Sequence, residues 1–416
     1  MKKFLKLILI FLLLISILLN LTGCYDARGI EELAYVVAIG LDINENNELE
    51  LSLQFATQGN SSGEKSEESS SNSESSEGSS QSSNASITTV KCTSINSGLA
   101  LINNHISKKV NLSHCQEILI SEKLAKQGLS EYLDTLLNNI QLRTDCSIVI
   151  TKCDAREYLE NVKPSLESLV ARYYESSLHS AEYVGYTIDI TLSEFYSKMK
   201  DTYSQAYAIL GNINENSLDK PTHINADYTA GENPIKDSDM TETLGIAVFN
   251  GDKMVGELTG LDSLCHIIVN NNLEQCSLSV PNPFEKDKYL DLILTSEKNT
   301  KCTVELNENS ANIHLDVYLV AYGQSLDEKT KYNSNDKLKQ IENSATKYLH
   351  DQIQNYLYKT SREYSSDISG FGKYAVKHYL TLDDWYNSNW LDNYKNSNFN
   401  VNVHLIMKSG NIFTKS

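Results

Sequence analysis

The sequence predicts an α+β fold of several domains with mixed sheets flanked by helices, and three patterns indicate it. Segments such as 49–55 and 146–151 are apolar or alternate between apolar and polar residues, as strands do. Strand-like and helix-like segments alternate early in the chain, which favours an α/β-like domain there. Apolar residues in steps of three and four over about 335–364 predict one long helix near the C-terminus.

The N-terminus has the parts of a bacterial lipoprotein signal. Lys2 and Lys3 precede the apolar run Phe4–Leu21 and Lys6 lies near its start, and the small residues Thr22 and Gly23 lead directly to Cys24. We predict that residues 1–23 are a signal peptide, cleaved between Gly23 and Cys24. Cys24 would then carry S-diacylglyceryl and N-acyl groups. These chains would hold the protein on the membrane, because each buried methylene contributes about 0.8 kcal/mol.

An uncleaved transmembrane anchor is the alternative to this signal. The apolar run of 18 residues is nearly long enough to span a bilayer. An uncleaved anchor has no need of Gly23 before Cys24, so the lipoprotein interpretation is favoured.

Length and charge limit the classes of partner. Cleavage after Gly23 leaves 393 residues, whose formal charge is −21 instead of −18, because residues 1–23 contain three lysines and no acids. A surface of this charge repels phosphate backbones and anionic headgroups, which argues against nucleic-acid binding. Nearly 400 residues exceed what one core usually organises, so two or three domains are expected.

Three domains are predicted after the signal peptide. Residues 24–165 would form an N-terminal α/β-like domain, 166–285 a middle domain, and 286–416 a C-terminal α+β domain that contains the long helix. A Ser/Glu-rich insertion at 59–86 interrupts the first of these. It holds almost no apolar residue that could offset the entropy of ordering, and it is predicted to be disordered.

Local patterns predict further elements in the second half of the chain. Apolar residues at helical spacing over Leu192–Leu210 predict one helix. A turn between Leu244–Phe249 and Lys253–Leu258 predicts a hairpin. Leu290–Ser296 and Lys301–Leu306 are predicted as two separate strands.

Seven cysteines remain when Cys24 is lipidated. Their number is odd, no CxxC pair occurs, and most stand beside apolar residues. This pattern favours buried thiols over disulfides or metal ligands. The seven are Cys92, Cys115, Cys146, Cys153, Cys265, Cys276 and Cys302.

Motifs of catalysis are missing from the sequence. It contains no GxSxG, no HExxH, no phosphate-binding loop and no dinucleotide-binding glycine pattern. We therefore predict no catalytic residue, no cofactor and no metal site. The acid pairs Asp237/Asp239 and Asp383/Asp384 lack the glycine and distal glutamate of a calcium loop, and they are predicted to be solvated loop charges.

Four ordered groups of residues run from the leader to the C-terminus. They are Gly23–Asp26 with Arg28, Ile30, Leu33, Val36 and Ala38–Asp42; Leu112–His114 with Ile118–Ala125 and Gly128; Gly245–Phe249 with Asp252–Leu258; and Asp367–Gly372 with Trp385. Together they resemble the C-subunit lipoproteins of spore germinant receptors, the Ger(x)C family. Departures from the family pattern are Tyr25 in place of Trp, Ala27 before Arg28 in place of a basic pair, and Asn139–Arg143 in place of an Arg-Asp-Pro-Glu-Ile-Arg stretch.

This resemblance implies a three-domain α+β ectodomain on the outer face of the spore inner membrane. The implied partners are a polytopic A-type subunit and a transporter-like B-type subunit, and the implied role is nutrient-triggered germination without catalysis. A solute-binding lipoprotein of a transporter is the alternative, and it would have two similar α/β lobes around a cleft. A lipid-tethered hydrolase would need a catalytic constellation, and none is visible.

Two of these segments could either face a partner or form part of the core. For Gly370–Trp390 we favour packing, because aromatic residues with little charge between them are usually buried. For the hairpin at Lys253–Leu258 we favour a structural turn.

Overall fold

The computed structural model describes residues 2–20, 29–56, 85–164, 166–167, 169–215, 218–237, 239–307, 310–323 and 335–408. The helices are α1 (Lys2–Asn20), α2 (Ile95–His105), α3 (Glu122–Gln127), α4 (Ser130–Leu137), α5 (Ala155–Asn161), α6 (Val170–Val184), α7 (Leu192–Lys200), α8 (Gly260–Val269), α9 (Asn335–Tyr358), α10 (Gly372–Ala375), α11 (Leu382–Asn387) and α12 (Trp390–Asn393). The strands are β1 (Leu33–Ile43), β2 (Leu49–Ala56), β3 (Ala85–Cys92), β4 (Lys109–Asn111), β5 (Glu117–Ser121), β6 (Ser147–Thr151), β7 (Tyr207–Ile213), β8 (Thr241–Asn250), β9 (Lys253–Leu258), β10 (Gln275–Pro281), β11 (Tyr289–Leu306), β12 (Ala311–Gly323) and β13 (Asn398–Lys408).

The first sheet is mixed and has the order β3-β2-β1-β5-β6-β7-β8-β9, with β4 paired to β1. Its central strands β1, β5, β6 and β7 run parallel to one another, and its outer strands are antiparallel. Every residue of β5 and β6 is buried. Such continuous burial is typical of parallel strands that are covered on both faces.

The second sheet has the order β10-β11-β12-β13, and α9 packs against it. The apolar stripe of α9 is buried at Ile341, Ala345, Leu349, Ile353 and Leu357, so the helix lies on the sheet by the face that the sequence pattern indicated. One contiguous apolar core includes residues of both sheets. The predicted α+β class with mixed sheets, flanking helices and a long C-terminal helix is confirmed.

The α-helical part of the predicted 335–364 helix ends at Tyr358. A wider π-helical turn follows at Lys359–Glu363, where Thr360 and Ser361 are buried. Thr360 donates its hydroxyl hydrogen to the carbonyl of Leu357, at 3.0 Å. Buried hydroxyls thus lie where the helical hydrogen-bond pattern changes, as is typical of such bulges.

The helix predicted over Leu192–Leu210 is wrong in its second half. Helix α7 ends at Lys200, and Tyr207–Ile213 forms β7 between β6 and β8. Sheet neighbours on both sides bury this segment almost completely. Tertiary burial therefore outweighs the helical spacing of its apolar residues.

The two strands predicted within 290–306 are one strand, β11. Its pairing with β12 changes register between Ser296 and Lys298 and again before Lys301. The polar residues that suggested a break lie in this bulged stretch, and a sheet can continue through such an irregularity.

The sheets divide the chain differently from the predicted domains. Strands β7, β8 and β9 extend the first sheet and β10 belongs to the second, so 166–285 has no sheet of its own. The boundary predicted after residue 285 falls in the connection between β10 and β11. Residues 59–84 of the predicted insertion lie outside the described residues, whereas Ala85 and Ser86 already pair within the first sheet.

Candidate functional site

The proposed lipid-attachment residue, Cys24, lies in 21–28, outside the described residues. The apolar side chains of α1 that the structure describes are exposed, for example Phe4 at 74% and Phe11 at 65%, so the core does not cover these side chains. No helix in the described ranges is both long and apolar enough to cross a membrane. On the other side of Cys24, β1 begins at Leu33 and pairs with three strands of the first sheet. Cys24 therefore lies nine positions before the first residue of a strand inside this sheet.

Asp42 joins three elements at the end of β1. Its carboxylate accepts hydrogen bonds from the Ser121 hydroxyl at 2.5 Å, from the Ile43 amide at 2.7 Å and from the Ala155 amide at 3.1 Å. Burial raises the pKa of Asp42, and these donors oppose the rise. The role of Asp42 is to connect β1 to β5 and α5.

A second connection links the end of α3 to the hairpin of β8 and β9. Gly128 has φ +130° there, and a Cβ atom would lie 2.8 Å from Oδ2 of Asp252. The Leu129 amide donates to the Asp252 carbonyl at 3.0 Å, and the Ser130 amide donates to its carboxylate at 3.3 Å. Only glycine combines this φ with this close approach.

The hairpin itself is built into the core, as predicted. Met254 and Leu258 are buried. Gly256 lies against the ring of Tyr364, whose hydroxyl donates to the Glu257 carbonyl at 2.7 Å. The hairpin is therefore a structural turn at the edge of the first sheet.

Asp367 organises the exit from the last long helix. Its carboxylate accepts hydrogen bonds from the amides of Phe371 at 3.0 Å and Gly372 at 2.9 Å, and from Nε1 of Trp390 at 2.8 Å. Its carbonyl accepts from the Gln205 amide at 2.9 Å. Burial raises the pKa of Asp367 to about 6, although the three donors favour the charged form.

The two tryptophans belong to the same region and are buried. Trp385 is 2% exposed and Trp390 is 6% exposed, and their rings stack with centroids 6.2 Å apart. Nε1 of Trp385 donates to the Thr202 hydroxyl at 2.9 Å. A Cβ atom on Gly372 would lie only 2.4 Å from the Tyr203 carbonyl oxygen. The packing interpretation of 370–390 is correct for both tryptophans.

Sequence reasoning missed Glu117, at the start of β5. The residue is 3% exposed, and its Oε2 has no hydrogen-bond partner among the described residues. Burial raises its pKa to about 8. In the sequence, Glu117 is a single acid at the edge of an apolar run. An acid at the exposed end of a strand has the same pattern, so the sequence does not show that Glu117 is buried.

Some large apolar side chains face solvent. Ile140, within the stretch that departs from the family pattern, is 100% exposed. Leu380 is 99% exposed, and Leu382 and Tyr386 of α11 are more than half exposed. Hydropathy alone could not separate these residues from the buried aromatics beside them.

The seven cysteines are free thiols. Cys115, Cys146, Cys265 and Cys276 are buried as predicted, and Cys92, Cys153 and Cys302 are half-buried. Burial raises the pKa of the Cys265 and Cys276 thiols, which makes them poor nucleophiles. Within the described residues, no three His, Cys, Asp or Glu side chains are grouped to hold a metal ion.

These connections define an α+β protein in which buried residues such as Asp42 and Asp367 link separate strands and helices by hydrogen bonds. The family model described as spore germination protein N-terminal domain matches residues 26–213. The model described as spore germination B3/GerAC-like, C-terminal, matches residues 244–410. The chain therefore belongs to this family of spore germination proteins, the Ger(x)C family.

Curated relatives match nearly the whole chain at low identity. Spore germination protein KC of Bacillus subtilis is 21% identical over 390 residues, which cover 90% of this chain and 88% of the relative. The putative spore germination protein YfkR of the same organism is 20% identical, with 97% and 96% covered. The crystal structure of the GerBC protein is similar with a TM-score of 0.46 and 14% identity, covering 89% of this chain and 96% of that one.

Proposed function

We propose that this chain is the lipid-anchored subunit of a nutrient germinant receptor in the spore inner membrane. It acts in germination by assembling or signalling with the polytopic A-type and transporter-like B-type subunits, and it performs no catalysis. The observation that carries the proposal is the position of the family match, which begins at residue 26, two residues after Cys24. A lipobox placed directly before a spore germination domain supports export and anchoring of that domain.

The length of the tether supports a role beside membrane partners. Eight residues separate Cys24 from Leu33, the first residue of β1. A fully extended chain spans at most about 3.5 Å per residue, so this tether reaches roughly 30 Å. A short tether keeps the folded part near the bilayer, where it raises the effective concentration for partners in the same membrane.

The sheet architecture does not favour the alternative of a solute-binding lipoprotein. Such a protein would have two similar lobes, whereas the described residues form one sheet of nine strands and one of four. The buried acids Asp42 and Asp367 are bonded to backbone and side-chain donors of the same chain, so they are occupied in structural roles.

Replacement of Cys24 by alanine tests the anchor. In spore-forming cells we expect Cys24→Ala to lose incorporation of labelled fatty acid and to leave the membrane fraction or be mislocalised, because the acylated thiol is gone. Cys302→Ala is the matched control, since it removes a cysteine outside the leader and should keep both label and location. Unchanged membrane retention of Cys24→Ala would favour an uncleaved N-terminal helix instead.

A further inference from the structure

The pairing of the first sheet shows which of its two ends is nearer to Cys24. Strands β1, β5, β6 and β7 run parallel, and one row of paired residues crosses all four of them: Gly40, Leu119, Val149 and Ile209. Residues that precede this row lie towards the end at which the four strands begin, which we call the N-terminal end of the sheet. The chain from Cys24 enters β1 at Leu33, and it therefore arrives at this end.

Helix α11 lies at the same end. Nε1 of Trp385 on this helix donates to the Thr202 hydroxyl at 2.9 Å, and its ring stacks on Tyr203 with centroids 5.4 Å apart. Both partners belong to the connection between α7 and β7, shortly before the first residue of β7, Tyr207. Helix α11 is thus attached to the segment that leads into β7 from the N-terminal end.

The proposed lipid on Cys24 and helix α11 are close enough to reach one bilayer. Strand β7 is three positions away from β1 in the sheet, and neighbouring strands are about 4.8 Å apart, so roughly 14 Å separate the two strands. The tether between Cys24 and Leu33 reaches roughly 30 Å. Because the tether is longer than this separation, anchoring at Cys24 leaves α11 within reach of the membrane surface.

Exposed apolar side chains are grouped on and beside α11. Leu380 is 99% exposed, Leu382 61% and Tyr386 56%. Leu382 and Tyr386 are four residues apart on the helix, so they are neighbours on one face, and Leu380 stands two residues before Leu382. Isolated exposed apolar residues are ordinary, whereas a group of them is typical of a contact surface. We call these three residues the α11 patch.

The α11 patch and its surroundings suit the surface of a bilayer. A tyrosine has an apolar ring and a polar hydroxyl, and such side chains are enriched at the level of lipid headgroups. Exposed lysines and exposed aspartates near the patch in the sequence are equal in number: Lys373 and Lys377, and Asp383 and Asp384. Charge therefore gives little preference for an anionic or a cationic partner, and contact at this place depends on apolar burial.

We propose that the α11 patch inserts into the headgroup region of the bilayer that holds Cys24. Leu380 and Leu382 bury their side chains where headgroups meet acyl chains, and the Tyr386 hydroxyl remains among the headgroups. This contact orients the folded part of the chain on the membrane in addition to tethering it. The proposal rests on the proposed anchoring at Cys24, but it does not depend on a role in germination.

Two exposed leucines at the opposite end of the sheet provide matched controls. Leu218 is 65% exposed and follows the last residue of β7, Ile213, by five positions. Leu166 is 96% exposed and lines a cavity together with Thr241, which pairs with Ile213. These exposed fractions are close to those of Leu382 and Leu380. A difference between the two pairs therefore reports their position on the molecule.

Tryptophan fluorescence measures the insertion directly. The full-length lipidated chain is placed in phosphatidylcholine vesicles, and the buried Trp385 and Trp390 of the parent give the background. The added emission of Leu382→Trp should fall by roughly half when the lipids carry bromine near the headgroup end of their acyl chains, because an interfacial face lies about 5–10 Å deep. Leu218→Trp should keep its emission. Equal quenching of the two variants, or no quenching of Leu382→Trp, would overturn the proposal.

Two added carboxylates test whether the patch itself makes the contact. In a chain that carries the reporter Tyr386→Trp, Leu380→Asp combined with Leu382→Asp should abolish quenching, because charged groups resist transfer into the bilayer. Leu166→Asp combined with Leu218→Asp adds the same charge at the opposite end and should leave quenching unchanged. All four positions are exposed, so both double variants should unfold at the temperature of the parent. Full quenching in the first double variant would contradict insertion of the patch.

Salt separates apolar insertion from attraction between charges. Quenching of Leu382→Trp should persist at 1 M salt, where the Debye length is only about 3 Å, and its loss there would contradict an apolar contact. A chain that stays on the vesicles without quenching leaves the patch for a protein partner, and it overturns the membrane contact alone. Normal germination of spores that lack the chain would instead contradict only the receptor role, so the two failures are distinguishable.

Discussion

Asp367 and Glu117 are both buried acids, but their surroundings differ. Asp367 lies at the junction of the two sheets and accepts three hydrogen bonds through its carboxylate, so its pKa rises only to about 6. Glu117 lies in the middle of the first sheet, its Oε2 has no partner among the described residues, and its pKa rises to about 8. The Asp367 carboxyl is thus mainly charged at neutral pH, and that of Glu117 is mainly protonated.

The difference shows what burial of an acid requires. Donors from the backbone and from Trp390 substitute for water around the Asp367 carboxylate, so its negative charge can remain inside the protein. Glu117 lacks such donors and remains inside only by holding its proton. Asp367 therefore stabilises the junction, whereas Glu117 makes the first sheet sensitive to pH.

Loss of the Asp367 carboxylate should have the largest effect. Asp367→Ala leaves two amides and the Trp390 ring nitrogen buried without an acceptor, and we expect the free energy of unfolding to fall by roughly 3–5 kcal/mol. Denaturant unfolding at pH 7 measures this change. Asp383→Asn, at an exposed position, is the control and should change stability by less than about 0.5 kcal/mol. A loss under about 1 kcal/mol for Asp367→Ala would mean that the junction does not depend on this carboxylate.

Replacement of Glu117 should alter the pH dependence of stability. The pKa of Glu117 in the folded protein, about 8, lies above its ordinary value of 4.5. The contribution of its protonated form to the free energy of unfolding is therefore fully present below pH 4.5 and is lost as the pH rises towards 8. Glu117→Gln should remove this dependence and make the protein more stable than the parent at pH 8, by roughly 2–4 kcal/mol. Unfolding midpoints between pH 5 and 9 measure it, and Glu131→Gln is the exposed control. Parallel pH profiles for Glu117→Gln and the parent would contradict a protonated Glu117.

A smaller change at the junction tests how much one hydrogen-bond donor contributes to keeping Asp367 charged. Trp390→Phe removes one of three donors to Asp367 and keeps most of the apolar ring, so we expect a loss of about 1–2 kcal/mol. The pKa of Asp367 should rise further above 6, because one interaction that favours its charged form is gone. The contribution of Asp367 to stability is fully present below its ordinary pKa of 3.8 and is lost as the pH rises to the folded pKa. A higher folded pKa therefore widens the pH range over which this contribution declines. A pH profile identical to that of the parent would show that Trp390 does not influence this carboxyl.

Elements with a strong local pattern could be predicted from the sequence. The hairpin of β8 and β9, the buried strand β6 and the stripe of α9 each follow from residue spacing alone. Helix α7 and strand β7 could not be separated, because the apolar residues of 203–210 fit a helical period and only their sheet neighbours select a strand. The assignment of each strand to one of the two sheets also depends on pairing between segments that are far apart in the sequence. The spacing of apolar residues does not encode this pairing.

For the candidate sites, too, local motifs could be predicted from the sequence and tertiary surroundings could not. The lipobox places Cys24 by a local motif, and that assignment stays a prediction because 21–28 lies outside the described residues. Glu117 is ordinary in type and in its neighbours along the sequence, and its buried surroundings exist only in the folded chain, so no motif could have identified it.

Germination of spores that lack this chain is the measurement that bears most on the proposed receptor role. We predict that deletion slows or abolishes germination with at least one nutrient while germination by a nutrient-independent trigger is kept. The parent chain supplied in trans should restore the response, and the Cys24→Ala chain should restore it weakly or not at all. Normal germination of the deletion strain with every nutrient would contradict the proposed receptor role.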